Sequence, residues 1–379
     1  MKDVVYTKLN NTLARLLKTP PYLILFVTDT CWMQCRHCWF NEQWKETHLQ
    51  SSQMTFDEYE RLADSIDRIA FLSLTGGEAF TRPDIVEIAH MLARKTHLHR
   101  YQIPTSGWRT DVVVRRTQQM LTLNRDIPLR VDVSLDGTRA THETVREKRG
   151  AFDAAVETIT SLNRLKEHYN YLDVGVITTI SSYNQDEVAE IAEIVRRVHP
   201  QGEWMINLTR GHPRDPKAAD VDPSNYERAH RIIEQRILDR DLQGHSGHRT
   251  ASWLTAKNAT RRKVIIDTVR GQGGGGGACA AGSLGAVIYS DGQVRPCELL
   301  EDTFGNVRDY NYDVGQLWCS ARADEIRRHI QTTHCLCTQE CFLSVSLLIR
   351  PQHWPDIVRQ RIRVGRARGA SPAMTGARA

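Results

Sequence analysis

The chain has 379 residues, 40% of them hydrophobic and 25% charged, so it can bury a large core and form two or more domains. The apolar runs, such as Tyr22 to Val27, are too short to cross a bilayer, and the segment that starts at Met1 lacks the pattern of a signal peptide. We therefore expect a cytoplasmic protein without a membrane partner. The net charge of +5 owes much to arginines after Asp356, and such basic tails are usually solvated, so nucleic-acid binding is not expected.

The first predicted strand, Leu23 to Val27, leads into a loop that carries Cys31, Cys35 and Cys38. Nine cysteines in a long chain are not the pattern of a secreted disulfide framework, so we interpret these three as metal ligands. Three thiolates can hold three irons of a cubane cluster and leave the fourth iron open to a reactive ligand. Structural zinc is the alternative, but it normally takes four protein ligands, and His37 is the nearby extra candidate.

Strand-like and helix-like segments then alternate as far as residue 208. Thr55 and Glu58 form a capping box, and Thr81 precedes Pro83 and Asp84 at the start of the following helix. The further strands are Phe71 to Thr75, Tyr101 to Ile103, Leu129 to Ser134, Leu172 to Thr178 and Trp204 to Leu208, and the further helices are residues 152–165 and 186–198. Strict alternation implies parallel strands with crossover helices, and such sheets carry their chemistry at the carboxyl ends of the strands.

The pattern changes after Gly211. A turn-rich stretch precedes two predicted helices, over residues 223–239 and 253–269. Gly271 to Gly277 has almost no side chain to pack, so we expect a flexible connector or a mobile loop there. This segment marks the boundary to a second, cysteine-rich module.

The second module begins at Cys279. Val287 to Cys297 predicts a tight hairpin with Asp291 and Gly292 as its turn, which would bring Cys279 and Cys297 together. Three more thiols lie in one short segment: Cys335, Cys337 and Cys341. Four of these five cysteines suit either zinc or an iron–sulfur cluster, because both accept four thiolates.

Three short segments follow the second, third and fourth predicted strands. They are Thr75-Gly76-Gly77-Glu78, Thr105-Ser106-Gly107 and Ser134-Leu135-Asp136-Gly137. In this order, after the three-cysteine loop, they resemble the radical S-adenosylmethionine (SAM) superfamily. The resemblance implies an α/β fold, a partial (β/α)6 TIM-type barrel, in which a [4Fe-4S] cluster on the cysteine loop binds SAM.

The resemblance also implies a contact with SAM for residues of each segment. Gly76 and Gly77 would let the backbone approach the methionine part of SAM, and the Glu78 carboxylate would meet its ammonium group. Ser134 and Asp136 would bond the ribose hydroxyls. The other implied contacts are Ser106 to the same ligand, Trp39 and Phe40 to the adenine, Thr178 on the adenine side and Arg146 to the SAM carboxylate.

The second module resembles the auxiliary-cluster domains known as SPASM and its shortened form, Twitch. Cys279, Gly292 and Cys297 match the opening of the pattern, whereas the further cysteines of the full pattern are absent. The resemblance therefore implies a single auxiliary [4Fe-4S] cluster on Cys279, Cys297, Cys341 and one of Cys337 or Cys335. The three-residue gap before Cys341 favours Cys337, and structural zinc remains the alternative at this site.

The predicted layout has five parts. They are an N-terminal extension (residues 1–21), the barrel (22–211), a helical insert with the glycine-rich linker (212–277), the SPASM/Twitch-like module (278–349) and a basic tail (350–379) that we expect to be disordered.

The implied reaction starts with reductive cleavage of SAM to methionine and a 5′-deoxyadenosyl radical, which takes a hydrogen atom from the substrate. The auxiliary cluster could accept the electron left on the substrate, and a donor such as flavodoxin or ferredoxin is expected. Arg210 and His212 are candidate substrate contacts. The first hypothesis is oxidation, epimerisation or carbon–carbon bond formation on a small metabolite; the alternatives are maturation of a ribosomally made peptide or partner protein, and a non-catalytic iron–sulfur carrier or sensor.

Overall fold

One continuous sheet runs through the fold. The computed structural model describes residues 12–49, 52–200, 202–239, 251–272, 279–333, 335 and 337–370. The strands are β1 (Tyr22–Thr28), β2 (Phe71–Gly76), β3 (Tyr101–Thr105), β4 (Leu129–Ser134), β5 (Leu172–Ile180), β6 (Glu203–Leu208), β7 (Gly285–Ile288), β8 (Gln293–Arg295) and β9 (Gly305–Asn306). Their order in the sheet is β6-β5-β4-β3-β2-β1-β7-β8-β9. Strands β1 to β6 are all parallel, which confirms the predicted partial barrel.

Helices cross between the strands of the first half, as the alternation predicts. They are α1 (Glu42–His48), α2 (Phe56–Asp64), α3 (Ile85–Lys95), α4 (Thr110–Leu123), α5 (Arg139–Arg146), α6 (Ala151–Lys166) and α7 (Val188–Val198). Later in the chain come α8 (Pro223–Leu238), α9 (Ala251–Val269), α10 (Val314–Trp318), α11 (Ala321–Thr332), α12 (Glu340–Ile349) and α13 (Trp354–Ala370). None of the helices in the described part of the chain has the length and apolar character needed to span a membrane.

The predicted capping box is present at the start of α2. The Thr55 hydroxyl accepts from the Glu58 backbone N–H at 3.3 Å, and the Glu58 carboxylate accepts from the Thr55 N–H at 2.8 Å. The same carboxylate also accepts from Arg308 Nε and from the Tyr312 hydroxyl, both at 2.7 Å. One side chain therefore caps a barrel helix and binds the second module to the barrel.

The second module extends the barrel sheet instead of forming a separate layer. Strand β7 pairs in parallel with β1, from Tyr22 opposite Gly285 to Leu25 opposite Ile288. The predicted hairpin is confirmed, because β8 pairs antiparallel with β7 and Gly292 takes a positive φ of 88° in the turn. The cysteines of the module are thus held beside the first strand of the barrel.

The predicted disorder of the basic tail is wrong for residues 354–370, which form α13. Ile357 and Val364 are buried, and the Arg361 guanidinium lies 4.2 Å from the centroid of the Trp253 ring on α9. Apolar residues at helical spacing stabilise the segment as a helix. The arginine-rich composition of the tail hid this spacing, and the prediction of disorder followed from the composition. Residues 371–379, residues 1–11 and most of the glycine-rich linker lie outside the described residues, and the domain boundaries remain predictions.

We predict that Glu58→Gln weakens the attachment of the second module. Its contacts hold the pKa of Glu58 at about 2, below the ordinary 4.5, chiefly because Arg308 donates to it. The carboxylate therefore stabilises the fold fully above about pH 4.5, and this contribution is lost as the pH falls towards 2. At pH 7 we expect the free energy of unfolding, measured with urea, to fall by about 1–2 kcal/mol.

Glu60→Gln is the matched control, since Glu60 lies on the same helix and forms a half-exposed pair with Lys95 at 3.2 Å. It should change the free energy of unfolding by less than about 0.5 kcal/mol. Two results would contradict the role given to Glu58. One is an equal loss of unfolding free energy in both variants at pH 7, and the other is a loss in Glu58→Gln that is as large at pH 3 as at pH 7.

Candidate active site

A cavity of about 240 Å³ lies where the carboxyl ends of the parallel strands meet. Predicted site residues on its wall are Cys31, Cys35, Cys38, Trp39, Gly77, Glu78, Ser106, Ser134 and Arg146. His37 and Arg210, which the sequence also singles out, line it as well. The cysteine loop and the segments after four strands therefore converge on one space, as predicted.

The wall also contains residues to which the sequence analysis assigned no role, although Thr75 and Thr105 belong to segments that it named. They are Thr75, Pro104, Thr105, Thr179, Asn207, Leu208 and Thr209. All of them lie at or next to the carboxyl end of a strand, so the rule that places chemistry at strand ends would have found them.

Backbone hydrogen bonds hold the cysteine loop in place from two sides. The Arg36 N–H donates to the Val145 carbonyl at 2.9 Å, and the Arg36 carbonyl accepts from the Asp215 N–H at 2.8 Å. The Cys38 carbonyl accepts from the Arg214 N–H at 3.0 Å. The loop is thus fixed between α5 and the segment that follows β6.

Burial raises the pKa of Cys31 and of Cys38 to about 12, with a further contribution to Cys31 from the nearby Glu78 carboxylate. Bare thiolates are therefore disfavoured in this loop. Thiolates become stable there when a positively charged metal centre replaces their protons.

Gly76 and Gly77 allow the end of β2 to touch the start of the cysteine loop. The Gly77 N–H donates to the Thr28 carbonyl at 3.0 Å, and the Glu78 N–H donates to the Thr30 carbonyl at 2.8 Å. A Cβ atom at Gly77 would lie 2.4 Å from the Thr30 oxygen, and one at Gly76 would lie 2.1 Å from the Thr28 oxygen. The glycines are therefore required by packing within the protein, whether or not SAM also approaches them.

Glu78 is a buried carboxylate with one oxygen bound and one oxygen free. Its Oε2 accepts from the Ser106 hydroxyl at 2.7 Å, the Ser106 N–H at 2.8 Å and the Thr105 hydroxyl at 3.1 Å. Within the described residues Oε1 is buried with no partner at hydrogen-bond distance, although the Phe80 N–H is near enough to lower the pKa of the group; burial raises that pKa overall. An ammonium group in the cavity would satisfy this oxygen, so the residues present fit SAM.

Asp136 lies behind the wall, not on it. It is fully buried, and its two oxygens accept from Arg146 Nε at 2.7 Å and from the Thr179 N–H at 2.8 Å. Burial alone would raise the pKa of Asp136, but the Arg146 guanidinium, the two nearby histidines and the Thr179 N–H together keep it below the usual range. The structure therefore places Asp136 outside the cavity lining, and its contact with the ribose stays a prediction. Asp136 orients Arg146, whose Nη1 lies 3.5 Å from the Cys35 sulfur.

Phe40 and Thr178 are also absent from the cavity wall. The Phe40 ring packs against Phe26, with 4.9 Å between centroids, in the core. The Thr178 hydroxyl donates to the Leu135 carbonyl at 2.6 Å and is fully buried. Its neighbour Thr179 lines the cavity instead, because successive residues of a strand point to opposite sides.

Arg210 connects the cavity wall to the second module. Its Nη1 donates to Glu340 Oε2 at 2.8 Å and its Nη2 to Glu298 Oε2 at 3.3 Å. Glu298 directly follows Cys297, and Glu340 directly precedes Cys341. His212 is exposed and outside the wall, but its carbonyl accepts from the Asn41 side chain at 3.1 Å.

Four cysteines of the second module interact with one another: Cys279, Cys297, Cys335 and Cys337. Burial raises the pKa of Cys297, Cys335 and Cys337, and Cys279 is near enough to raise each of them further. Cys337 is also near enough to affect Cys297. This arrangement supports Cys337 as a ligand, although the choice between Cys335 and Cys337 remains a prediction. In the described parts of the chain, no three cysteine, histidine or acidic side chains are grouped closely enough to hold a single metal ion.

Two family models match this chain. The first, the radical SAM superfamily, matches residues 25–195, and the second, SPASM, described as an iron–sulfur cluster-binding domain, matches residues 279–342. They confirm the predicted cofactors: a SAM-binding [4Fe-4S] cluster in the barrel and auxiliary iron–sulfur binding in the second module. The zinc alternatives find no support in these matches.

Similar proteins include enzymes of different kinds. The AdoMet-dependent heme synthase of Methanosarcina barkeri (strain Fusaro / DSM 804) is 25% identical over 316 residues, which cover 79% of this chain and 83% of that protein. The sporulation killing factor maturation protein SkfB of Bacillus subtilis (strain 168) is 24% identical over 313 residues, which cover 79% of this chain and 67% of that protein.

Among solved structures, native anSMEcpe with bound AdoMet has a TM-score of 0.58 and 13% identity, over 92% of this chain and 100% of that one. At this identity the likeness establishes the fold alone.

We predict that Gly77→Ala disrupts the site, since its Cβ would collide with the backbone of Asp29 and Thr30. We expect the free energy of unfolding to fall by about 3 kcal/mol or more and iron uptake at the cysteine loop to fail. Thermal unfolding and iron analysis after anaerobic reconstitution measure both effects. Gly365→Ala in α13 is the control, because nothing lies within 4 Å of its Cβ, and it should be neutral or slightly stabilising. Normal stability and full iron content of Gly77→Ala would contradict the prediction.

Proposed function

Because this chain belongs to the radical SAM superfamily and carries a SPASM domain, we propose that it oxidises a small organic substrate after taking a hydrogen atom from it. The bound cluster supplies the electron that splits SAM into methionine and a 5′-deoxyadenosyl radical. The observation that carries the proposal is the buried Glu78 Oε1, which has no hydrogen-bond partner among the described residues and lies on the same wall as the three cysteines.

The predicted site residues on this wall, and Asp136 behind it, have the following roles in the proposal. Cys31, Cys35 and Cys38 hold three irons, and Glu78 receives the ammonium group of SAM. Gly77 borders the methionine part, Ser134 bonds the ribose, Trp39 packs on the adenine and Arg146 faces the SAM carboxylate. Ser106 and Asp136 act as positioning residues, for Glu78 and Arg146 respectively.

The substrate side of the cavity is the wall after β5 and β6. Thr179, Asn207 and Thr209 offer hydroxyl and amide groups to a polar small molecule. Arg210 reaches from this wall to the carboxylates beside Cys297 and Cys341, so the auxiliary module adjoins the place where substrate would react. This adjacency supports net oxidation with the auxiliary cluster as electron acceptor. The heme synthase, a relative that makes a small molecule and is covered over 83% of its length, supports the substrate class.

Peptide or protein maturation is the second candidate. It is favoured by SkfB, which its name describes as a maturation protein and which aligns with 79% of this chain. Recognition would then fall to the insert between β6 and β7, which contains α8 and α9. Candidate peptides and small metabolites can be labelled with deuterium and tested for transfer of the label into 5′-deoxyadenosine. If a peptide transfers deuterium and none of the metabolites does, the protein is a peptide maturase and the first proposal is wrong.

We predict that the reconstituted protein binds about eight irons per chain and forms 5′-deoxyadenosine from SAM and dithionite under anaerobic conditions. Cys35→Ala should abolish this product, and Cys279→Ala should lower the iron content to about four. Cys319 is exposed and outside both proposed sites, so Cys319→Ala is the control and should keep all the iron and the activity. Absence of SAM cleavage by the wild type would favour a non-catalytic carrier or sensor, and cleavage by Cys35→Ala would refute the catalytic loop.

We predict that Glu78→Gln weakens SAM binding about tenfold or more, because it removes the charge that attracts the ammonium group. Equilibrium dialysis of labelled SAM against the iron-loaded protein measures the effect. Glu87→Gln, at an exposed position of α3, is the control and should leave the affinity unchanged. Wild-type affinity in Glu78→Gln would remove Glu78 from the SAM site.

A further inference from the structure

Helix α13 has two apolar faces, and only one of them is packed. Ile357 and Val364 are buried towards α9, whereas Trp354, Val358 and Ile362 are 52%, 41% and 49% exposed. These three residues recur at every fourth position and therefore form one continuous row along the helix. Such a row in contact with water is typical of a surface that binds a partner.

The row continues onto the end of α12. Leu348 is 54% exposed, and the Trp354 ring N–H donates to its carbonyl at 3.1 Å. We use the name exposed stripe for Leu348, Trp354, Val358 and Ile362. It crosses the junction between the two helices and presents four large apolar side chains together.

The helix that carries the stripe is strongly basic. Its 17 residues include five arginines and a single acidic residue, Asp356. Arg359 is exposed on one side of the stripe and pairs with Asp356 at 2.9 Å, and Arg361 lies on the other side over the Trp253 ring. Arg363 pairs with Glu234 at 3.2 Å. A second copy of this chain would bring the same positive charge, so the complementary partner is acidic.

The stripe lies next to the auxiliary module. Helix α12 begins beside Cys341, and its Ser346 hydroxyl accepts from the Ala280 N–H, adjacent to Cys279, at 2.9 Å. Arg350, between the stripe residues Leu348 and Trp354, is close enough to Cys279 and Cys337 to interact with both thiols. A protein bound on the stripe would therefore sit against the cluster-binding segment.

We propose that the exposed stripe, together with Arg359, Arg361 and Arg363, forms the docking surface for a small acidic electron-donor protein. The inference rests on the proposed function: cleavage of one SAM consumes one electron, which a reduced donor supplies as it is oxidised, and the electron that the substrate would leave on the auxiliary cluster passes to an oxidised donor at the same surface. The apolar row provides the contact area, and the arginines steer the acidic donor towards the auxiliary module.

Binding of flavodoxin, a strongly acidic flavoprotein, tests the surface directly. Isothermal titration of the iron-loaded protein with oxidised flavodoxin should give a dissociation constant that rises with salt concentration. The double variant Val358→Asp, Ile362→Asp should raise it at least tenfold. Leu123→Asp, at a residue 49% exposed on α4, is the matched control and should bind as the wild type does. Because Val358, Ile362 and Leu123 are all exposed, both variants should have the circular dichroism spectrum and the melting temperature of the wild type.

SAM cleavage provides a second readout. The double variant should lose at least tenfold in kcat/KM for reduced flavodoxin and keep the wild-type rate with dithionite. The proposal is overturned if the double variant binds flavodoxin as tightly as the wild type and has the same kcat/KM for it. It is also overturned if the wild type does not bind flavodoxin. Failure of the wild type with dithionite would overturn the proposed function instead, whereas the flavodoxin titration reports on the surface independently.

Two other outcomes would also overturn the proposal. A wild-type dimer that becomes monomeric in the double variant would make the stripe a contact between copies. A raised KM for a substrate peptide, with flavodoxin binding unchanged, would make it a peptide site.

Discussion

The close contact between the ends of β1 and β2 is the constraint on which the rest of the site depends. The backbone at Gly77 and Glu78 hydrogen-bonds to the carbonyls of Thr28 and Thr30, and no side chain fits between them. This contact fixes the start of the cysteine loop relative to Glu78. It thereby places a buried carboxylate on the same wall as three thiols, and the ionised forms of these groups are unfavourable until cations occupy the space between them.

Charge balance also explains how the second module is joined to the first. A four-iron cluster with four thiolate ligands is negatively charged overall, and Glu298 and Glu340 add two carboxylates beside its cysteines. Arg210 lies between these carboxylates and donates to both. Since the same residue lines the reaction cavity, a substitution there would disturb the electrostatics of both sites, and its effects could not be assigned to one of them.

The sequence predicted the barrel strands and the convergence of the cysteine loop with Glu78, Ser106 and Ser134. These predictions succeed because strand periodicity and strand-end position depend on local patterns. It did not foresee that Asp136, Phe40 and Thr178 lie outside the cavity lining, since spacing cannot tell which of two neighbouring side chains faces the cavity and which faces the core. The contacts of these residues with SAM stay predictions.

The order in α13 was missed for a different reason. The prediction relied on the composition of the tail and not on the helical spacing of Ile357, Arg361 and Val364. The packing of these residues also depends on α9, which lies about 100 residues earlier in the chain. Contacts between such distant segments leave no signal in either segment alone.

The pairing of β7 with β1 has a consequence for synthesis of the chain. Tyr22 emerges from the ribosome early, but its partner Gly285 follows only after about 260 further residues. Until then one edge of β1 has unpaired backbone groups, and the barrel that bears the cysteine loop is incomplete. Cluster insertion into a finished site therefore has to wait for nearly the whole polypeptide, and the nascent barrel is the stage at which oxygen and wrong metals have free access to its thiols.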